Sequence, residues 1–316
     1  MKIIVTGGAG FIGSNVVDGF VSAGHDVVIV DNFFTGKLEN INKKAKLYIM
    51  DVRAEELKKV FEIERPDVVD HHAAQMSVPA SVANPHFDAE VNVLGAVNIL
   101  QCAVKYGTKK IIFSSTGGAI YGEASVIPTT ETYPGNPLSP YAITKQTTES
   151  YLHFYAAHYG LQYTVLRYAN VYGPRQVPHA EAGVVAIFME KLISEGLPTI
   201  YHFDDKPDGM TRDYCCVKDV VRANTHALMA GEQQIINIST CVETSTVQLY
   251  RTILESLRER GIAKDAKFDN PHKGPARAGD IRRSCLDNSK AAKLLNWHPE
   301  YDLKKGIAAT VEHFLR

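Results

Sequence analysis

Three things are scarce in this sequence: cysteine, net charge and long apolar runs. The 34 lysines and arginines nearly balance the 35 aspartates and glutamates, which argues against a nucleic-acid-binding or disordered chain. No apolar run approaches the length of a membrane span, and no charged-then-apolar leader precedes the first predicted strand. We therefore expect a soluble cytoplasmic protein with neither a membrane nor a nucleic-acid partner.

The few cysteines and the paired histidines predict no metal site. The five cysteines stand at positions 102, 215, 216, 241 and 285, without C-x-x-C or other ligand-like spacing. We predict reduced thiols packed as small apolar side chains, with Cys215 and Cys216 on a strand. His71 and His72 are adjacent and would point to opposite faces of a strand, and no further ligands stand at suitable spacing.

The sequence does contain a strand, a glycine turn and a helix at its start. Lys2–Thr6 is an apolar run that ends at Gly7, and Phe11–Ala23 carries apolar residues at helical spacing. Gly7 then permits the tight turn, Gly10 lets a pyrophosphate approach the backbone, and Gly13 lets the helix lie close to the strand. The free N–H groups at the helix N-terminus would face the phosphates of a dinucleotide.

A second predicted strand, Asp26–Val30, leads into Asp31, eighteen positions beyond Gly13. A carboxylate at this place can accept hydrogen bonds from the hydroxyls of an adenosine ribose and would repel a 2′-phosphate, which favours NAD over NADP. The alternative is that Asp31 caps a turn. Lys37 lies nearby and weakens the preference for NAD.

Strand-like and helix-like segments alternate through the first half of the chain. Further strands are predicted near 46–50, 67–71, 110–114 and 163–167, and helices near 54–62, 89–106, 140–159, 184–195, 217–230, 245–260 and 303–315. The alternation predicts an α/β protein with a doubly wound parallel sheet, a Rossmann fold. We predict an NAD-binding domain over 1–172 and a smaller α/β substrate lobe over 173–316, with segments near 212–240 returning to the first domain.

Hydroxyl side chains follow the fifth predicted strand, at Ser114, Ser115 and Thr116. A Ser-Pro dipeptide then predicts a helix start that places Tyr141 and Lys145 four positions apart on one face. A nearby ammonium, the helix N-terminus and an oxidised nicotinamide would each favour the tyrosine phenolate, which could act as a base. The alternative is a surface helix with a chance Y-x-x-x-K, but the dinucleotide pattern upstream favours a catalytic pair.

Taken in order, TGGAGFIG, DNFFTG, HHAA, SSTGGAIYG, SPYAITK and RYANVYGPR resemble the extended short-chain dehydrogenase/reductase superfamily, in its nucleotide-sugar epimerase branch. The resemblance covers nearly the whole chain and is closest to the UDP-glucose 4-epimerases; segments 181–188, 212–220 and 277–284 fit the same group. It implies a UDP-sugar substrate, NAD as a retained cofactor, and inversion at C4 through a transient 4-keto sugar.

The resemblance also implies roles for individual residues. The catalytic set would be Thr116, Tyr141 and Lys145. Contacts to NAD would come from Gly7, Gly10, Phe11, Ile12, Asp31, Asn32, Thr35, Gly36, Asp51, Val52, Ala73, Ala74, Asn92, Ser114, Tyr141, Lys145 and Tyr168. Contacts to the nucleotide sugar would come from Thr116, Asn170, Val184, Arg212, Arg277 and Asp280. Two arginines can clamp a diphosphate, and a carboxylate can accept a sugar hydroxyl.

Related activities of the same superfamily differ just after the threonine. Sugar-nucleotide 4,6-dehydratases carry an Asp-Glu pair there, and UDP-glucuronate decarboxylases use a glutamate, whereas this chain has Gly117-Gly118-Ala119. Return of hydride to C4 is therefore favoured. Alternatives remain: a 4-epimerase of UDP-N-acetylglucosamine or UDP-glucuronate, a nucleotide-sugar dehydrogenase or reductase, or a non-catalytic NAD-sensing scaffold.

A few residues bear on the choice of sugar or depart from the family pattern. His72 stands where leucine is usual, and the loop 203–210 is longer than the family's glycine-aspartate turn. The small Ser284 predicts room for an N-acetyl group, and Arg175 is a candidate partner for a sugar carboxylate. His179, beside a glutamate, is predicted to lie in a loop near the sugar site.

The resemblance finally implies a homodimer held by a four-helix bundle, formed by the helices near 89–106 and 140–159 of each subunit. The apolar residues that fit such a bundle are Val93, Val97, Leu100, Val104, Tyr151, Leu152 and Tyr155. The same residues could equally cover the sheet.

Overall fold

A seven-stranded parallel sheet is the centre of the computed structural model, which describes residues 1–178, 183–277 and 279–315. Within these residues the strands are β1 (Lys2–Thr6), β2 (Asp26–Asp31), β3 (Lys46–Ile49), β4 (Val68–His71), β5 (Lys110–Thr116), β6 (Gln162–Tyr168), β7 (Asn170–Tyr172), β8 (Thr199–His202), β9 (Thr211–Cys216), β10 (Gln234–Ile238), β11 (Glu243–Ser245) and β12 (His272–Pro275). The sheet runs β3-β2-β1-β4-β5-β6-β10, and every pair is parallel. The predicted doubly wound sheet is confirmed.

Helices cover both faces of this sheet. They are α1 (Phe11–Ser22), α2 (Leu57–Glu64), α3 (Val78–Ala83), α4 (Pro85–Ala89), α5 (Gly95–Tyr106), α6 (Gly117–Ile120), α7 (Pro140–Tyr159), α8 (Val184–Ile193), α9 (Val217–Ala227), α10 (Thr246–Arg258), α11 (Ser289–Leu295) and α12 (Leu303–Phe314). Because strand side chains alternate, Ile3 packs with α1 and α9 on one face, whereas Ile4 packs with α2, α5 and α7 on the other.

The later part of the chain builds two small sheets and a core of its own. β7, β9 and β11 form one sheet, and β8 pairs with β12. Tyr172, Phe188 and Tyr250 belong to the core that α8, α10 and α12 complete. β9 ends in Cys215 and Cys216, so these residues lie on a strand as predicted. After β9 the chain returns to the main sheet through α9 and β10.

The sequence was expected to contain no segment of membrane-span length, but the helical stretch Pro85–Tyr106 meets that criterion. It combines α4, a π-helical turn at Glu90–Leu94 and α5, and by length and composition alone it could cross a membrane. This is weak support for a span, because a core helix passes the same test: 44% of its most apolar window is buried inside the protein, and α5 packs on α2 and α7.

Candidate active site

A cavity of about 1410 Å³ follows the carboxyl ends of the central strands from the glycine turn to the small sheets. This is where ligands bind in open α/β sheets, at the point where the strand order reverses between β1 and β4. The predicted site residues that line it are Gly7, Gly10, Phe11, Ile12, Asp31, Asn32, Thr35, Asp51, Val52, Ala73, Ala74, Ser114, Thr116, Tyr141, Lys145, Tyr168, Asn170, Val184, Arg212, Arg277 and Asp280.

Gly36 and Asn92, two predicted cofactor contacts, are not among the residues that line the cavity. The Asn92 amide donates to the Gln75 carbonyl at 3.0 Å and accepts from the Gln75 N–H at 2.9 Å. A side chain on Gly36 would begin 2.7 Å from the Cβ of Ala9. Asn92 therefore holds the backbone of Gln75, which lines the cavity, and neither Gly36 nor Asn92 forms part of the described surface.

The glycine turn has the shape that a dinucleotide phosphate requires. Gly7 has φ +70°, and a Cβ there would lie 2.7 Å from the Ala73 nitrogen. A Cβ on Gly13 would lie 2.2 Å from the Gly7 carbonyl oxygen, so the start of α1 can approach β1 only without a side chain. The residues present fit NAD at this place, since the turn presents the N-terminus of α1 to the cavity.

Asp31 is fixed by two backbone N–H groups at the end of β2. One carboxylate oxygen accepts from Ala9 at 2.9 Å, and the other accepts from Phe33 at 2.7 Å. The turn-capping contact is thus present, and it holds the carboxylate at the cavity. Lys37 forms an ion pair with Glu39 at 3.3 Å, so it is engaged away from Asp31.

The end of the cavity next to β2 and β3 contains an arginine that the sequence analysis did not single out. Arg53 donates from Nε to Asp51 Oδ1 at 2.9 Å, and this contact lowers the pKa of Asp51 to about 2. Asn32 donates to the other Asp51 oxygen at 2.9 Å. Phe34 and Phe87 flank this end of the cavity with rings 6.0 Å apart. In the sequence, the signal for this ion pair is that Arg53 stands two positions after Asp51.

The predicted catalytic residues meet on one wall of the cavity. Thr116 ends β5, and α7 begins at Pro140 with the Ser139 hydroxyl capping its first turn at 3.2 Å. Lys145 donates to the Ser114 carbonyl at 2.8 Å, and its Nζ lies 6.0 Å from the centroid of the Tyr141 ring.

The pKa of Tyr141 at this wall differs from the expectation that its side chain is a phenolate. Burial and the nearby carboxylate of Asp88 raise the pKa of Tyr141 to about 12, although the Thr116 side chain acts to lower it. Burial likewise lowers the pKa of Lys145 to about 8, against the opposing charges of Asp88 and Glu149. The protein alone therefore favours the neutral phenol, because desolvation and the Asp88 charge outweigh the opposing hydrogen bond from Thr116.

Two buried polar networks hold these residues from behind, and neither was predicted. Asp88 accepts from Thr144 of α7 at 2.7 Å and from the Gln75 side chain at 2.7 Å. Glu149, two helical turns beyond Tyr141, accepts from the Ser115 hydroxyl at 2.6 Å and from Arg167 at 3.0 Å. Polar side chains scattered over several elements gave no local pattern from which these contacts could be found.

The other half of the cavity carries the predicted nucleotide-sugar residues. The Arg277 guanidinium lies 4.0 Å above the ring of Tyr201, and the Asp280 carboxylate accepts the Arg277 backbone N–H at 2.7 Å. Arg212 donates to the Thr211 carbonyl at 2.9 Å, and burial lowers its pKa. Two guanidinium groups thus border one end of the cavity, as recognition of a diphosphate requires.

Two residues named for the choice of sugar lie away from the described cavity wall, and a third cannot be placed. Ser284 pairs through its backbone with Thr211 at 3.1 Å and is absent from the described cavity wall. Arg175 is likewise absent from that wall, because it turns towards α1 and donates to Asp18 at 2.7 Å. His179 lies outside the described residues.

The sequence pattern of the NAD dependent epimerase/dehydratase family matches residues 3–239. This chain belongs to that family, which confirms the resemblance found in the sequence.

One relative and two solved structures of named activity are similar to this chain over almost its whole length. The UDP-glucose 4-epimerase of Mycolicibacterium smegmatis is 43% identical, over 99% of this chain and 98% of that protein. The crystal structure of the Thermotoga maritima UDP-glucose 4-epimerase with UDP-glucose is 48% identical, covers 100% of this chain and 99% of its own, and superposes with a TM-score of 0.93. The Thermus thermophilus UDP-glucose 4-epimerase in complex with NAD is 42% identical, with coverage of 100% and 99% and a TM-score of 0.91.

Proposed function

We propose that this chain is an NAD-dependent UDP-sugar 4-epimerase that interconverts UDP-glucose and UDP-galactose. The observation that carries the proposal is the position of Thr116, Tyr141 and Lys145 between a dinucleotide cradle and two arginines in one cavity. Relatives named UDP-glucose 4-epimerase, which align with this chain over almost its whole length, support the same activity.

The proposed roles follow from this arrangement. Tyr141 takes the proton of the sugar C4 hydroxyl and later returns it, while the Thr116 hydroxyl binds the same oxygen. Lys145, anchored on the Ser114 carbonyl, contributes positive charge beside the phenol. Bound NAD supplies reversible hydride transfer at C4. Because both faces of a 4-keto sugar must meet the same cofactor, the arginines must hold the diphosphate while the sugar turns.

We assign the cavity's first half to NAD and its second half to the nucleotide sugar. The cofactor contacts are the lining residues from Gly7 to Tyr168 named above, except Thr116. The sugar-nucleotide contacts are Thr116, Asn170, Val184, Arg212, Arg277 and Asp280. Residues 1–172, together with the returning α9 and β10, form the NAD-binding domain in this proposal, and most of 173–316 forms the substrate lobe.

Dehydration of the intermediate is disfavoured by the residues immediately after Thr116. A 4,6-dehydratase needs an acid there to assist loss of water, but the sequence continues as Gly117-Gly118. An added Cβ on Gly117 would lie 2.3 Å from the Leu286 Cδ1, so a longer side chain there would have to displace Leu286. Return of hydride to C4 is the outcome that these residues permit.

The proposal is tested by incubating the purified protein with UDP-glucose, UDP-N-acetylglucosamine and UDP-glucuronate in turn, without added cofactor. We expect NMR anomeric signals of UDP-galactose to appear from UDP-glucose, because the cofactor is regenerated in each cycle and stays bound. Signals of an oxidised or reduced sugar would instead indicate a dehydrogenase or reductase. No conversion of any sugar after NAD is supplied would favour the sensor alternative.

We also propose that the enzyme is a cytoplasmic homodimer. Four of its five free cysteines are buried and the fifth is half-buried, which suits a reducing compartment. Ile143, Tyr151 and Phe154 leave an apolar outer face on α7, which suits a subunit interface.

A further inference from the structure

The Asp51 carboxylate, a predicted cofactor contact, is already fully engaged by the protein. Its Oδ1 accepts from the Arg53 backbone N–H and from Arg53 Nε, each at 2.9 Å. Its Oδ2 accepts from Arg53 Nη2 and from the Asn32 amide, each at 2.9 Å. A carboxylate offers about four acceptor sites, so these four hydrogen bonds leave none for a ligand. A ligand at this end of the cavity must therefore be recognised by other groups.

An exposed aromatic side chain lines the cavity beside this carboxylate. Phe34 is 72% exposed, and its backbone N–H donates to the Asn32 side chain at 3.0 Å, which ties the turn after β2 to the same network. Phe87 of α4 lies next to Phe34 in the cavity wall, and the Arg53 guanidinium lies 5.4 Å from the centroid of the Phe87 ring. A single exposed apolar side chain is ordinary, but a pair in a cavity wall forms an aromatic surface that a ligand can reach.

The order of the strands indicates which part of NAD reaches this surface. Thr116 and Tyr141 lie on the β5 side of the cavity, where the nicotinamide must meet the sugar. The glycine turn after β1 lies in the middle and suits the pyrophosphate. The other half of the dinucleotide then extends towards the ends of β2 and β3, where Asp31 and Phe34 lie. That half is the adenosine, whose base is a flat ring system.

Resting on the proposed NAD site, we propose that the adenine ring stacks on Phe34, with Phe87 completing the aromatic surface, and that the Asp51 carboxylate does not recognise the adenine amino group. Stacking on an aromatic side chain tolerates any base, since every base has a π face. The contact therefore retains the cofactor without distinguishing adenine from hypoxanthine, which carries an oxygen in place of the amino group.

Three variants isolate the stacking contact. Phe34→Ala removes it without opening the core, because this side chain is mostly exposed. Phe34→Trp keeps an aromatic face at the same position. Leu38→Ala is the matched control: Leu38 is 70% exposed on the same connection between β2 and β3, but it is not among the described residues that line the cavity.

The first measurement is the rate at which holoenzyme exchanges its bound NAD for isotopically labelled NAD in the absence of sugar. We expect about tenfold faster exchange in Phe34→Ala, because the base no longer stacks, and rates within about twofold of wild type in Phe34→Trp and Leu38→Ala. UDP affinity should stay within about twofold of wild type in all three, because UDP occupies the other half of the cavity. Wild-type exchange in Phe34→Ala, equal acceleration in Leu38→Ala, or equal weakening of NAD and UDP would overturn the proposal.

The second measurement uses wild-type protein, so it does not depend on the folding of any variant. The protein is loaded with NAD or with nicotinamide hypoxanthine dinucleotide, and the release of each is followed. We expect the two release rates to agree within about threefold, because stacking does not depend on the amino group. A larger difference in favour of NAD would show that a hydrogen bond recognises that group, which contradicts the proposal.

Both measurements separate this inference from the proposed function, because neither uses a sugar. A protein that converts no UDP-sugar but shows these effects keeps the inference. An active epimerase that lacks them loses it.

Discussion

At the scale of single residues, the two polar partners at the centre of the site respond to burial in opposite directions. Desolvation raises the pKa of Tyr141 and lowers that of Lys145, so both neutral forms are favoured before ligands bind. The base role proposed for Tyr141 therefore requires more positive charge than Lys145 supplies, and the proposed source is oxidised NAD.

Replacing Tyr141 by phenylalanine tests the role of its hydroxyl. We expect kcat for epimerisation to fall by about 10²–10⁴-fold in Tyr141→Phe, because the proton transfer at C4 loses its base, while NAD stays bound. Tyr106→Phe is the matched control, since that ring lies under Arg65 on the far end of α5. Near-normal turnover in Tyr141→Phe would show that another group moves the proton.

The buried lysine predicts a pH dependence of stability. In the folded protein the pKa of Lys145 is about 8, against 10.5 for an ordinary lysine, so between these values the unfolded chain binds more protons. The free energy of unfolding of wild type should therefore rise with pH from about 8 to 10, by about 2 kcal/mol relative to Lys145→Met. Urea unfolding of the cofactor-free proteins at several pH values measures this difference. Parallel pH profiles of the two proteins would show that Lys145 is not desolvated as described.

At the scale of elements, the sequence predicted best those helices and strands whose ends are marked by local signals. α7 begins at Pro140 and ends at Tyr159, as predicted, because a serine cap, a proline at the first turn and a terminal glycine mark both ends. The short strands β7, β8, β11 and β12 carry no such marks. Their three to four residues are strands only because distant segments pair with them, and pairing partners are not visible in a local pattern.

The same distinction explains which site residues could be predicted. The glycine turn and the Tyr141–Lys145 spacing are local, so they were found. Glu149 and Asp88 act through contacts with residues far along the chain, and Asn92, predicted to contact the cofactor, hydrogen-bonds Gln75. A resemblance identifies positions near a ligand, but it does not separate residues that touch the ligand from those that hold its wall.

The close approach of α1 to β1 at Gly13 can be tested by a substitution there. An alanine inside a helix usually stabilises it relative to glycine, but a Cβ on Gly13 would lie 2.2 Å from the Gly7 carbonyl oxygen. Because that atom is backbone, the turn itself must shift. We expect Gly13→Ala to lower the free energy of unfolding by about 1–3 kcal/mol and to speed release of NAD.

Gly196→Ala is the matched control for this junction. Its added Cβ would find its nearest neighbour, the Lys191 carbonyl oxygen, at 3.4 Å, so we expect a change within about 0.5 kcal/mol. Denaturant unfolding and retained absorbance of the cofactor measure both effects. Equal behaviour of the two variants would mean that the turn can relax without cost.

At the scale of the whole molecule, α7 has two different apolar faces. Leu152 and Tyr155 pack in the core against the sheet, so part of the stripe that the sequence suggested for a dimer is already buried. Ile143, Tyr151 and Phe154 remain 50%, 39% and 42% exposed on the opposite side. The division is similar on the preceding helical stretch, since Leu100 of α5 is buried in the same core and Leu94, at the end of the π-helical turn before α5, is 60% exposed. The exposed set is the one that a four-helix bundle would cover.

This division predicts which substitution breaks the proposed dimer. Phe154→Glu places a charge on the outer face of α7 without entering the core, so a dimer that buries this face should dissociate into folded monomers, detected by light scattering after size-exclusion chromatography. Met229→Glu, at a methionine that is 77% exposed beyond α9, should leave the dimer intact. Retention of NAD by the monomer is expected, because the residues proposed to contact NAD all belong to one chain. A monomeric wild type, or a Phe154→Glu protein that stays dimeric, would place the interface elsewhere or remove it.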